Sequence, residues 1–124
     1  MQQNRLAEAE VLLAEALRLR PDDAGVLVNQ GLVLRTLGRA AEAMTSFDRA
    51  AELQPDLPEA HYHRSVALSD LGRMDEALTA ISQALALRPG FAEALFYQGI
   101  LLTDLGRLDE AKASYDRTLA LMPG

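Results

Sequence analysis

The two histidines, His61 and His63, are the first place in this 124-residue chain to look for chemistry. Set two apart on a helix, they point about 200° away from each other around the axis, so they cannot share a metal ion. His61 falls on the face expected to pack inside its own unit, which is where a satisfied structural histidine belongs. His63 falls on another face, and it can either meet a partner or simply be solvated. The serines have no base at a useful spacing, so no nucleophile is activated. The glycines form no phosphate-cradling loop. The 18 acids are scattered along helix surfaces and read as solvated faces, with no metal cluster among them. The absence of cysteine excludes disulfides, thiol nucleophiles and cysteine-ligated zinc or iron–sulfur sites. No catalytic constellation, cofactor site or metal site is expected.

Charge narrows the partners. The formal net charge is −6, with 12 Lys and Arg against 18 Asp and Glu, and no basic cluster is present. Nucleic acid is therefore not an expected partner. No apolar run approaches the roughly 18 residues of a membrane helix, and no signal peptide is visible behind Arg5. A membrane partner is not expected either, and the working expectation is a cytoplasmic protein or a fragment of one.

The elements that would position any site announce themselves by repetition. Pro21, Pro55, Pro89 and Pro123 stand 34 residues apart, as do Gly38, Gly72 and Gly106, each inside Leu-Gly-Arg. Ala9, Ala43, Ala77 and Ala111 keep the same step, each preceded by Glu. A fixed period of this size means stacked units. Each period holds two helical patterns. The first covers 24–37, 58–71 and 92–105, and the second 40–53, 74–87 and 108–121. The glycine closes the first helix with a left-handed residue, and the proline follows the second. Asp75-Glu76 and Asp109-Glu110 meet the positive end of a helix dipole. Asp22, Asp23 and Asp56 are candidate caps for the helices that follow them.

This pattern resembles the tetratricopeptide repeat over nearly the whole chain. The family's small residue in the first helix is matched by Gly31, Ser65 and Gly99, and its alanine early in the second by Ala43, Ala77 and Ala111. Its next aromatic position is matched by Phe47, Ile81 and Tyr115, and its closing proline by Pro55, Pro89 and Pro123. Leu27, His61 and Leu95 stand where the family has Trp, and Leu34, Leu68 and Leu102 where it has Tyr. The resemblance implies an all-α solenoid of antiparallel helix pairs, about seven helices in a right-handed superhelix. The expected division is a half repeat over 1–23 and repeats over 24–57, 58–91 and 92–124. Gly31, Ser65 and Gly99 are expected to let one helix approach the other closely at Ala43, Ala77 and Ala111. The lone helix of 1–23 is expected to pack through Leu6, Ala9, Leu13 and Ala16.

Function in such a stack is expected on the concave side, which the first helices line. Their stripe offers Val28, Asn29 and Leu32, then Tyr62, His63 and Val66, then Phe96, Tyr97 and Ile100. Helix-on-helix packing could claim Val28, Tyr62 and Phe96 instead. The stripe's acids are Glu59, Asp70, Glu93 and Asp104 against Arg35 alone. The expected partner is a protein or peptide with apolar anchors and some positive charge. Some members of the family grip acidic chaperone tails with Lys, Asn and Arg on this stripe. Val28, Leu32, Glu93 and Tyr97 stand at those places here, so that clamp is not expected.

Two further readings stand beside this scaffold. The pattern starts on a second helix and stops after another, with Lys112 replacing Met44 and Leu78 as the one hint of a polar closing face. The chain could then be a stacking segment that self-associates through Leu6 and Leu13, or through Leu108, Tyr115 and Leu119. It also resembles arrays that precede glycosyltransferase domains, including O-linked N-acetylglucosamine transferases, where it would be a substrate-docking arm.

Overall fold

The computed structural model describes the backbone of residues 2–122 and the side chains of residues 4–122. Among the described residues there are seven helices and no strand. They are α1 (Gln2–Leu19), α2 (Ala24–Thr36), α3 (Ala40–Leu53), α4 (Pro58–Asp70), α5 (Met74–Leu87), α6 (Ala92–Asp104) and α7 (Leu108–Leu121). These bounds match the helical stretches read from the glycine and proline spacing to within a residue. The closing Pro123 lies outside the described residues. None of the helices is long and apolar enough to cross a membrane.

Each unit is a helix pair, α2 with α3, α4 with α5 and α6 with α7, and each pair leans on the next. The turn inside each pair is built the same way three times. Gly38, Gly72 and Gly106 have φ of 81°, 77° and 76°. That left-handed residue lets the following arginine N–H reach back to a carbonyl five residues earlier: Arg39 to Leu34, Arg73 to Leu68 and Arg107 to Leu102. The arginine of each turn then pairs with the glutamate three residues on, Glu42, Glu76 or Glu110.

The start signals are less uniform than expected. Asp23 does cap α2, accepting from the Val26 N–H at 3.1 Å. Asp56 caps nothing: Leu57 takes the N-cap position of α4, and Pro58 opens the helix. Proline removes an N–H that would otherwise need a partner and presets the helical φ, so the carboxylate is dispensable there.

The core runs along the seam between helices. Ala43, Phe47, Ala60, Ala67, Ala77, Ile81, Ala84, Ala94 and Leu101 have no exposed surface. Small alanines bring the helices close, and Phe47, Ile81, Leu95 and Leu101 are the largest side chains buried between them. α1 packs on the first unit by Leu17 and half-buries Leu6, Ala9, Leu13 and Ala16.

The close approach inside two of the pairs also involves an aromatic ring. A Cβ on Gly31 would lie 2.3 Å from the Phe47 ring, and one on Gly99 would lie 2.4 Å from the Tyr115 ring. The glycines therefore make room for an aromatic ring one turn beyond Ala43 and Ala111. In the middle unit the Ser65 hydroxyl donates to the Ala77 carbonyl at 2.7 Å. There the ring is replaced by Ile81, and the slimmer side chain leaves space for a serine.

Candidate interaction face

The first helices α2, α4 and α6 follow one another along the stack, and α2 also touches α4 directly. The nine residues expected on their stripe differ widely in exposure. Asn29 and Phe96 are exposed, while Leu32, Tyr62, His63, Val66, Tyr97 and Ile100 are half-buried. Val28 departs from expectation, being only 8% exposed and part of the core.

The reason is positional. Val28, Tyr62 and Phe96 occupy the same place in successive units, and the following unit covers that place. Tyr62 is covered by Phe91, which caps the start of α6, at 5.2 Å and by Tyr97 of unit three at 6.1 Å, both stacked. Phe96 is 51% exposed, with the Tyr115 ring at 5.7 Å.

An aromatic row thus crosses the middle of the face. His63 lies against the Phe47 ring at 5.6 Å and meets Tyr62 edge-on at 5.0 Å. Burial pushes the His63 imidazole below its ordinary value; Arg35 adds to this, while Glu59 and Glu93 oppose it. Burial likewise pushes the Tyr62 and Tyr97 phenols up. His61 points elsewhere, its Nε2 at 3.2 Å from the Pro55 carbonyl and its Nδ1 facing Arg64. The histidine thus ties α4 to the loop before it. No group of three or more His, Asp and Glu forms among the described residues that could hold a metal ion.

The charges of the face are partly spent. Arg35 pairs with Asp70 across two units, Nε to Oδ2 at 2.6 Å, and Glu59 is held by Arg88. Glu93 and Asp104 are exposed and have no ion-pair partner among the described residues. The open charge on this face is therefore negative.

A cleft that sequence reasoning missed lies on another side of the first unit, lined by Leu17, Arg18, Pro21, Leu27, Gln30 and Ser46 among others. Gln30 accepts from Ser46 at 3.0 Å, and Gln98 from Ser114 at 2.9 Å. In the middle unit Arg64 reaches back to Asp48 instead, at 2.8 Å. The 34-residue register would have aligned these positions, but Ala80 has no hydroxyl to offer Arg64.

The tetratricopeptide repeat family model matches residues 1–58 and 59–124. The chain belongs to the tetratricopeptide repeat family. No curated protein matches it. Solved structures do. A crystal structure of MamA superposes with a TM-score of 0.88 at 22% identity, covering 98% of this chain and 71% of that one. The structure described as MamA AMB-1 P212121 gives 0.78 at 28% identity, covering 90% and 66%. The crystal structure of YrrB, described as a TPR protein with an unusual peptide-binding site, gives 0.84 at 25% identity, covering 97% and 62%. The present chain thus spans about two thirds of the length of these structures.

Proposed function

We propose that this repeat protein is an interaction scaffold that holds a peptide or helix of a partner protein along α2, α4 and α6. One observation carries the reading. Half-buried Tyr62, His63 and Tyr97 form a continuous aromatic row on the side where Glu93 and Asp104 remain without ion pairs. Aromatics that present part of their surface serve well as binding anchors, because they offer large contact area at little entropic cost. Asn29, Leu32, Val66, Phe96 and Ile100 flank the row; Val28 contributes from beneath. The peptide-binding site of YrrB supports the class of partner. The residual acids favour one with apolar anchors and a nearby Lys or Arg. No catalytic role is assigned to this chain. As the docking arm of a larger enzyme the same face would do the same work.

A panel of immobilised peptides tests this, half of them apolar-basic and half apolar-acidic. The apolar-basic set should be retained, and retention should fall with salt. Tyr97→Ala and Glu93→Lys should each weaken it without lowering helicity. Equal retention of both sets, or indifference to Tyr97→Ala, would assign binding to another surface.

A further inference from the structure

The 34-residue register leaves one cation out of the face that α2, α4 and α6 share. Arg35 of α2 reaches across to α4, where its Nε lies 2.6 Å from Asp70 Oδ2. One unit on, the same two places are held by Ser69 of α4 and Asp104 of α6. The carboxylate is kept and the arginine is gone. A serine is too short to span two units, and its hydroxyl turns to the Met74 sulfur at 3.7 Å instead. Asp104 is exposed and has no ion-pair partner among the described residues. The partner it lacks would come from the unit before it, whose residues are all described.

What surrounds this gap suits a guanidinium. Asp104 is the last residue of α6, where the negative end of the helix dipole adds to its charge and favours a cation. Tyr97 takes the place beside the gap that His63 takes beside Arg35. The Tyr97 phenol, pushed up chiefly by burial, has Ser69, Asp70, Arg35 and Asp104 around it, and its ring is backed by Tyr62 at 6.1 Å. Arg35 is the only cation of that group, and Asp70 already holds it. A guanidinium is planar, so it can lie on an aromatic ring while its N–H groups meet a carboxylate. The protein uses this combination itself: Arg88 lies 4.8 Å over the Phe91 ring and pairs with Glu59. We propose that an arginine side chain of the bound partner enters between α4 and α6, lies on Tyr97 and pairs with Asp104, filling the place that Ser69 leaves open. This rests on the scaffold reading above and adds to it which basic residue the partner carries and where that residue docks.

Two probes test this. The first is a set of apolar-basic peptides that differ only in carrying arginine, lysine or citrulline at the basic position. Arginine should bind about fivefold tighter than citrulline, and tighter than lysine. Asp104→Asn should abolish that preference. Ser69→Arg should abolish it too, because it supplies the missing cation from α4, and it should leave helicity unchanged. The second probe is N-acetyl-arginine amide alone, titrated at low salt. It should shift the Tyr97 ring protons in the parent and not in Ser69→Arg. Arginine bound no better than citrulline or lysine, while Tyr97→Ala still weakens retention, overturns the arginine site and leaves the scaffold reading standing. If no peptide is retained at all, the scaffold reading fails and the amide decides the site by itself. No shift at Tyr97, or a shift that survives Ser69→Arg, then overturns it.

Discussion

Folding changes the surroundings of the His63 imidazole. Its ring goes from water to a place between Phe47 and Tyr62, beside Arg35, with only Glu59 and Glu93 to favour a charge. The folded imidazole therefore holds its proton less tightly than the unfolded one. Between the lowered value and the ordinary one near 6.5, the unfolded chain binds more protons, so stability rises with pH across that window. His63's contribution is fully present above the ordinary value and is lost as pH falls below it. Proton NMR should place the His63 titration below the ordinary histidine value near 6.5. Thermal melts at pH 7.5 and 5.5 should differ less in His63→Gln than in the parent, and equal differences would refute the assignment. At the same scale, Gly31→Ala should destabilise by about 1–3 kcal/mol, since Phe47 is fully buried and cannot yield. Gly99→Ala should cost less, because Tyr115 is half-buried and can turn toward solvent. Urea unfolding of the two variants gives the order directly.

The turns decide matters at the scale of elements. A Cβ on Gly72 would meet nothing within 4 Å, yet φ is 77°. The cost of substitution is then one of backbone conformation alone. Gly72→Ala should lose about 1 kcal/mol, Gly72→Val more, and Gly72→Asn least, since asparagine tolerates the left-handed region best. A denaturant series in which valine equals asparagine would remove this account. These turns explain why the helix bounds were legible in the sequence: glycine and proline act locally, and their 34-residue step marks every boundary. What was not legible depends on how two helices cross. Spacing along α2 and α3 brings Gly31 toward Ala43, but only the crossing shows that the Phe47 ring fills the gap. Val28 looked like a groove residue by its periodicity, and the unit stacked over it takes it into the core. Asp56 read as a cap by type, though Pro58 made a cap unnecessary. The spent charges were not traceable: Arg35 and Asp70 meet across neighbouring units, and Glu59 finds Arg88 only where the start of α4 meets the end of α5.

Across the whole molecule, stability should be graded, because each unit rests only on its neighbours. None of the described side chains of α1 is fully buried, whereas α4 and α5 hold Ala60, Ser65, Ala67, Ala77, Ile81 and Ala84 with no exposure at all. Amide hydrogen exchange should accordingly be fastest in α1 and slowest in α4 and α5. Uniform protection from α1 to α7 would mean a single cooperative block. The ring-and-gap pairs inside the units have a consequence for how such a chain can be rebuilt. Gly31 belongs to Phe47, Ser65 to Ile81 and Gly99 to Tyr115. A chimaera joining α4 to α7 would drive Ser65 into the tyrosine ring, and one joining α6 to α5 would leave a void between Gly99 and Ile81. Recombination inside a pair is thus penalised in both directions wherever the middle unit takes part, while recombination between pairs keeps every match. The seams of this molecule are its prolines, and the smallest exchangeable part is a whole unit cut there.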